Sequence, residues 1–445
     1  MTSRYVSIRP DNIPSDGKVS FKNGFPVLSF TIQSQNGILD TKSIRIAGNL
    51  AIYKDNASPP TPVLESDTGA DRVTMDNRLG IYNVMDQLII RHNKSKQICE
   101  HIRHYPRYLQ SYLGVSSSKQ DLMTFMGATN LIMPNAEAFF KTVVGNATGV
   151  TSNQVVKSFS AHLPCGFLGT GEPVNLMESS FGGIQIEVHL SPDQACLFNP
   201  DGDSSNVGDA HYELSDLELT CEIADVPADE MASLSKQSSG QREFNTITSL
   251  YTTINSTNAQ LQFSLGLKQV QSVFMNFCPS SHINTITENG NATTYPAKSN
   301  GDLAFLKRVQ WLRGGSKYPC EYDIVTNFDK DSNVAVVDPQ VLKQFVDSVI
   351  PTYIDDRCSV SSQNNNRAYN LTNATDSYMD LADGGALFGV GMKYSQFNSG
   401  ADFSREQWGV SIESDLTDDS PQSVFIYVKS RAVLVWSANG VQLLQ

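Results

Sequence analysis

Long apolar runs, paired cysteines and a basic surplus are all missing from this sequence. No apolar stretch approaches the ~20 residues needed to span a bilayer. The opening MTSRYVSIRPDN has no apolar h-region of the kind that directs secretion. Together these predict a protein made in a cytosol or nucleus and not exported. The seven cysteines (Cys99, Cys165, Cys196, Cys221, Cys278, Cys320 and Cys358) are scattered, odd in number and never spaced as CxxC. That pattern argues against a disulfide framework and against a zinc site, and predicts reduced thiols packed as small apolar side chains. Lys and Arg number 33 against 46 Asp and Glu, a net charge of −13, so the body of the protein offers no basic surface for nucleic acid. One local exception is the first ten residues, which hold Arg4 and Arg9 and no acid. They read either as a frayed terminus or as a short cationic arm that touches something anionic.

Recognisable chemistry is also missing. There is no GxGxxG, P-loop, GxSxG elbow or HExxH, and so no phosphate cradle, serine nucleophile or metalloprotease centre of known pattern. Gly166–Gly171 (GFLGTG) is glycine-rich but follows Pro164 and opens no convincing helix, which disfavours phosphate binding. His101 and His104 lie three apart on a predicted helix, without a third ligand at useful spacing, and a metal site is not expected there. Asp201-Gly-Asp203 and Asp329-Lys-Asp331 open like calcium loops but lack glycine at the sixth position and glutamate at the twelfth. They read as Asx-rich turns. No catalytic, metal or cofactor-binding residue is assigned, and the chain is not expected to be an enzyme.

What the sequence does contain is strands. At 445 residues it is too long for one ordinary core, and two large β domains fit its pattern best. Alternation of apolar and polar residues predicts strands at Val27–Gln33, Ser43–Lys54, Val155–Leu163, Ile184–Leu190 and Tyr212–Ile223. Asp225–Gly240 breaks the pattern. Strands resume at Glu243–Ile254, Leu261–Leu267, Val270–Phe277, Leu303–Arg313, Cys320–Phe328, Leu387–Phe397, Gln407–Glu413, Val424–Lys429 and Arg431–Ser437. Each half adds one amphipathic helix. In the first, a strand over Leu79–Ile90 leads into a helical stripe of Ile98, Ile102, Tyr105, Leu109 and Tyr112, kinked or restarted at Pro106, with Glu100, Arg103 and Arg107 on its polar side. In the second, Asp338 caps and Pro339 opens a helix with Val341, Leu342, Phe345, Val346, Val349 and Ile350 buried, interrupted late by Pro351. Val115–Asn153 and Asp355–Gly384 read as long polar excursions.

This layout predicts an all-β protein of two tandem eight-stranded jelly-roll sandwiches, each with an accessory helix. The expected division is an N-terminal arm over 1–24, a first jelly roll over 25–224, a linker over 225–242, a second jelly roll over 243–438 and a tail over 439–445. Three stretches carry a family resemblance: DNRLGIYNVMDQLII, QICEHIRHYPRYLQSYLG and GVGMKYSQFNSGADFSREQWGVSIESDL. They resemble the corresponding parts of double jelly-roll major capsid proteins, nearest to those of Polinton-like viruses and virophages in the adenovirus and tectivirus lineage. The stretches cover about a seventh of the chain, whereas the layout covers nearly all of it. The chain is shorter than the virophage proteins, which implies smaller outward loops.

The resemblance implies a structural role. Chains of that family form pseudo-hexagonal homotrimers that tile an icosahedral shell around double-stranded DNA. The implied partners are other copies, penton and minor capsid proteins, and an internal membrane or the genome through an inward-facing arm at Arg4 and Arg9. No small-molecule substrate or cofactor is implied, and the implied location is the virion. The Met and Phe residues of the first excursion (Met123, Phe125, Met126, Met133, Phe139, Phe140) would serve either subunit contacts or their own core. A carbohydrate-binding or glycan-active β-sandwich is the alternative; it is usually secreted, which the missing signal disfavours. A trimeric spike or fibre domain would lean on repeats and lack paired helices.

Overall fold

A computed structural model of the chain describes residues 2–22, 24–54, 59–64, 67–76, 79–116, 129–132, 156–170, 172–178, 180–227, 240–287, 306–323, 325–329, 334–337, 339–350, 370–371, 389–394, 400–414, 421–437 and 440–445. Ten strands come first: β1 (Thr2–Ile8), β2 (Lys18–Val19), β3 (Val27–Ile32), β4 (Ile38–Tyr53), β5 (Met85–His92), β6 (Ile98–Arg103), β7 (Val156–His162), β8 (Val174–Asn175), β9 (Ile184–Leu190) and β10 (His211–Asp225). Successive side chains of a strand point to opposite faces, so alternation buries one face: Leu28, Phe30 and Ile32 of β3 and Ile184, Ile186, Val188 and Leu190 of β9 are in the core. The sheets run β1-β10-β4-β7 and β3-β9-β5-β6, with the two-residue β2 and β8 at the margins. If the eight longer strands are numbered in chain order, the sheets read 1-8-3-6 and 2-7-4-5. That is the jelly-roll order.

The second half repeats it. Its strands are β11 (Gly240–Ile254), β12 (Asn258–Phe263), β13 (Val270–Pro279), β14 (Leu306–Arg313), β15 (Ser316–Asp323), β16 (Val325–Asp329), β17 (Val334–Val337), β18 (Asn370–Leu371), β19 (Val390–Lys393), β20 (Trp408–Ser414), β21 (Gln422–Ser437) and β22 (Gly440–Leu444). With β16, β17 and β18 in a small sheet of their own and β22 appended to β21, the main sheets are β11-β21-β13-β19 and β12-β20-β14-β15. Counted the same way, these are again 1-8-3-6 and 2-7-4-5. Helices α1 (Tyr105–Ser116) and α2 (Pro339–Val349) enter at the same point of each half, between the fifth and sixth strands. The duplication is in topology.

Several local expectations change. Ile98–Arg103 is a strand, because the turn at 93–96 folds it back on β5, pairing Gln87 with Arg103 and Ile89 with His101. The helix therefore starts at Tyr105, and Pro106 lies in its first turn, where a missing amide costs little, so it introduces no kink. Part of the expected strand before it, Gly80–Val84, is 3-10 helix. Residues read as an irregular arm form β1, laddered along β10 from Thr2–Asp225 to Ile8–Leu219. The tail forms β22, a hairpin partner of β21. Cys320–Phe328 divides between β15 and β16 in different sheets, and the two last strands are one, β21, because β11 pairs with it throughout. The opening of α2 at Pro339 is as expected. Asp338, Pro351, the Asp355–Gly384 excursion apart from β18 (Asn370–Leu371) and the six Met and Phe residues of the first excursion lie outside the described residues.

Candidate functional site

The two sandwiches meet along a seam that gathers most of the buried charge among the described residues. On the second sandwich the seam is the outer face of β13 and β21. Tyr427 pairs with Phe274 across this ladder, so both rings point the same way. Every residue of β13 and the first nine of β21 are buried, because this sheet is covered on both faces. Part of the outer cover is α1 from the first sandwich. Tyr108 packs 5.7 Å from the Tyr427 ring and 6.3 Å from Phe274. Asn276 Nδ2 donates to the Arg107 carbonyl (2.9 Å) and Ser111 Oγ (3.1 Å), and the Arg107 guanidinium lies 5.0 Å over Phe425. Lys429 donates to the Val349 carbonyl at the end of α2 and sits 5.5 Å from the Tyr112 ring.

A second set of contacts joins β6 to β11. The buried Glu100 carboxylate accepts from the amides of Phe167 (2.7 Å), Gly166 (3.1 Å) and, across the seam, Ile247 (3.2 Å). Burial pushes this carboxyl up to about 7 although the three amides favour its charged form. The glycine-rich stretch does open a helical turn, Gly166–Gly169, and its amides hold an anion supplied by the protein itself. Only glycine fits at 166: a Cβ there would lie 1.7 Å from the Asn245 carbonyl oxygen of β11. Arg242 of β11 reaches back into the first sandwich. Its guanidinium donates to the carbonyls of Glu172 (2.6 Å) and Phe167 (2.8 Å) and to Thr170 Oγ1 (2.6 Å), and stacks 4.8 Å over the Phe167 ring.

Residues singled out in sequence fall elsewhere. Arg4 lies on β1 with its guanidinium 3.4 Å from Asp225 and 3.0 Å from Gln35; Arg9, just past the strand, is exposed. His101 is on β6, its Nε2 2.9 Å from Gln87 Oε1, and His104 is at the β6–α1 junction. No helix carries the pair. Among the described residues no three His, Cys, Asp or Glu side chains converge as metal ligands. Cys99, Cys165, Cys196, Cys221 and Cys278 are buried free thiols. Asn199 Oδ1 accepts from the amides of Asp201 (2.7 Å) and Asp203 (3.2 Å), an Asx turn in that loop. Glu100 and Arg107, expected on a polar face, are among the most buried charged residues of the seam. Arg242 and Lys429 had no sequence signal beyond a charge beside an apolar run. Two clefts open along the seam, one of about 450 Å³ beside Tyr108, His162, Thr170 and Lys429 and one of about 320 Å³ beside Asp86, His104, Tyr251 and Phe425.

No protein-family model matches the sequence, and no curated protein matches it. Solved structures do match. VP54 of PBCV-1, fitted into a reconstruction of the virophage Sputnik, superposes with TM-score 0.59 over 100% of this chain and 97% of its own, at 11% identity. The Faustovirus major capsid protein gives TM-score 0.58 over 98% of this chain and 90% of its own, at 10% identity. This is the double jelly-roll capsid fold. A chain of the Sputnik virophage has it too, with TM-score 0.56, 11% identity and coverage of 100% and 88%. The match covers both sandwiches.

Proposed function

We propose that this chain is the major capsid protein of a double-stranded DNA virus, and that it assembles as a pseudo-hexagonal homotrimer tiling an icosahedral shell. The observation that carries the reading is the likeness in fold, over nearly its whole length, to a Faustovirus major capsid protein. Two bodies, one running from β1 to β10 and the other from β11 to β22, would form each subunit, with residues 226–239 between them in the sequence. The virion is then its location, other copies its main partners, and penton and minor capsid proteins its neighbours. Arg9, exposed beside the first strand, and Arg4 would face the membrane or genome inside.

The seam supports self-association. In the second sandwich, β13 and β21 are covered on both faces. The matching outer face in the first sandwich, where Glu218 and Thr220 of β10 stand beside Ala47 and Arg45 of β4 and Ser160 and His162 of β7, is only half-buried. A second copy seated there would cover it, and such a head-to-tail contact closes into a ring when the rotation allows. Light scattering and negative staining of the purified chain test this. A species of about three chain masses with a hexagonal outline is expected, and paired Ala47→Glu and Ser160→Glu substitutions should reduce it to folded monomer. A wild-type chain that stays monomeric would overturn the trimer.

A further inference from the structure

His104 touches both sandwiches. It joins β6 to α1 in the left-handed region, at φ +52°, which few residues other than glycine adopt. Its carbonyl accepts from the amides of Arg107 (3.0 Å) and Tyr108 (3.2 Å) in the first turn of α1 and from the Tyr427 hydroxyl (2.8 Å) of the second sandwich. Its ring packs against two aromatic rings of the second sandwich, Phe425 at 5.0 Å and Tyr251 at 5.5 Å. Nδ1 stands 3.8 Å from the Asp86 carboxylate, and the 320 Å³ cleft borders the group. A single side chain that can gain charge near neutral pH thus sits where the helix, the first sandwich and the second converge.

We propose that His104 is an acid-sensitive latch on the seam, whose protonation loosens the contact between the two sandwiches. Asp86 on β5 draws a proton towards the ring, while Arg107 on α1 and Arg103 on β6 oppose it. From β11 and β21 the ring meets Tyr251 and Phe425, with the Tyr427 hydroxyl committed to the His104 carbonyl. Across the cleft, the turn at Asp193–Cys196 has its Asp193 carboxylate bound to the Tyr212 amide at 3.1 Å. Burial is the largest influence and, with the two arginines, outweighs Asp86, so the ring titrates below its ordinary 6.5. A base whose folded pKa is depressed contributes no penalty above 6.5 and costs stability as pH falls below it.

The test is thermal melting of the full chain at pH 7.5 and 5.0 for wild type, His104→Asn and Asp86→Asn, at one protein concentration. Asn tolerates the left-handed backbone and does not titrate. From pH 7.5 to 5.0 the melting temperature of His104→Asn should move upward relative to that of wild type by roughly 1–3 °C, and that of Asp86→Asn should move downward relative to it. Asp86→Asn keeps the ring and both arginines, so it carries the test if His104→Asn fails to fold. A His104→Asn chain whose melting temperature tracks that of wild type between the two pH values, or an Asp86→Asn chain that moves upward relative to wild type at pH 5.0, would overturn the latch.

Discussion

At Glu100, burial and three backbone amides pull the carboxyl in opposite directions, and burial prevails, raising it to about 7. An acid whose folded pKa lies above its unfolded one favours folding in the protonated form, so its contribution fades as pH rises from about 4.5 through 7. The stability of wild type relative to Glu100→Gln, read from denaturation midpoints, should accordingly fall between pH 5 and 8, by on the order of 3 kcal/mol at most. This is opposite in sign to His104, so the two residues are separable in one pH series. Glu100 was misplaced in sequence because a helical period put it on the solvent side. A period of two puts it on the same face as Ile98 and Ile102, where the structure has it, and a lone carboxylate on an apolar strand face is the signal that could have flagged it.

The β6–α1 stretch shows why element boundaries were harder to read than element types. Ile98 and Ile102 are four apart, a spacing that satisfies both a helix and a strand, so the helical stripe ran on backwards through a strand. From Tyr105 onwards only the helical period fits, and there the expectation and the structure agree. Tyr108, outside the expected stripe, turned out to be the ring with most to hold: its neighbours include Tyr112, Phe274, Tyr427 and Lys429. Tyr108→Ala should therefore cost about 3–5 kcal/mol, measurable by chemical denaturation, and most of the loss should come from the seam. β21 failed in the other direction. Lys429, Ser430 and Arg431 look like a break, yet a partner strand on one side carries the ladder straight through them. Pairing over such sequence distance leaves no local trace.

At the scale of the whole molecule, the jelly-roll order of both halves followed from counting alternating strands, whereas the seam could not be foreseen, since its charges come from β6, α1, β11 and β21. That seam should make the two sandwiches melt together. Calorimetry of wild type is expected to show one transition and Arg242→Ala two, because the substitution removes the guanidinium that β11 sends into the first sandwich and leaves the carbonyls of Glu172 and Phe167 without that donor. A single transition in Arg242→Ala at an unchanged temperature would speak against a coupled seam. In each half the strand that lies between the first and third, β10 or β21, is also the eighth to leave the ribosome. A nascent chain halted before Gln422 thus has β11 and β13 but nothing to join them, and α1 has lost half of the surface it lies on. Translation order thus makes completeness a condition of folding for the second sandwich.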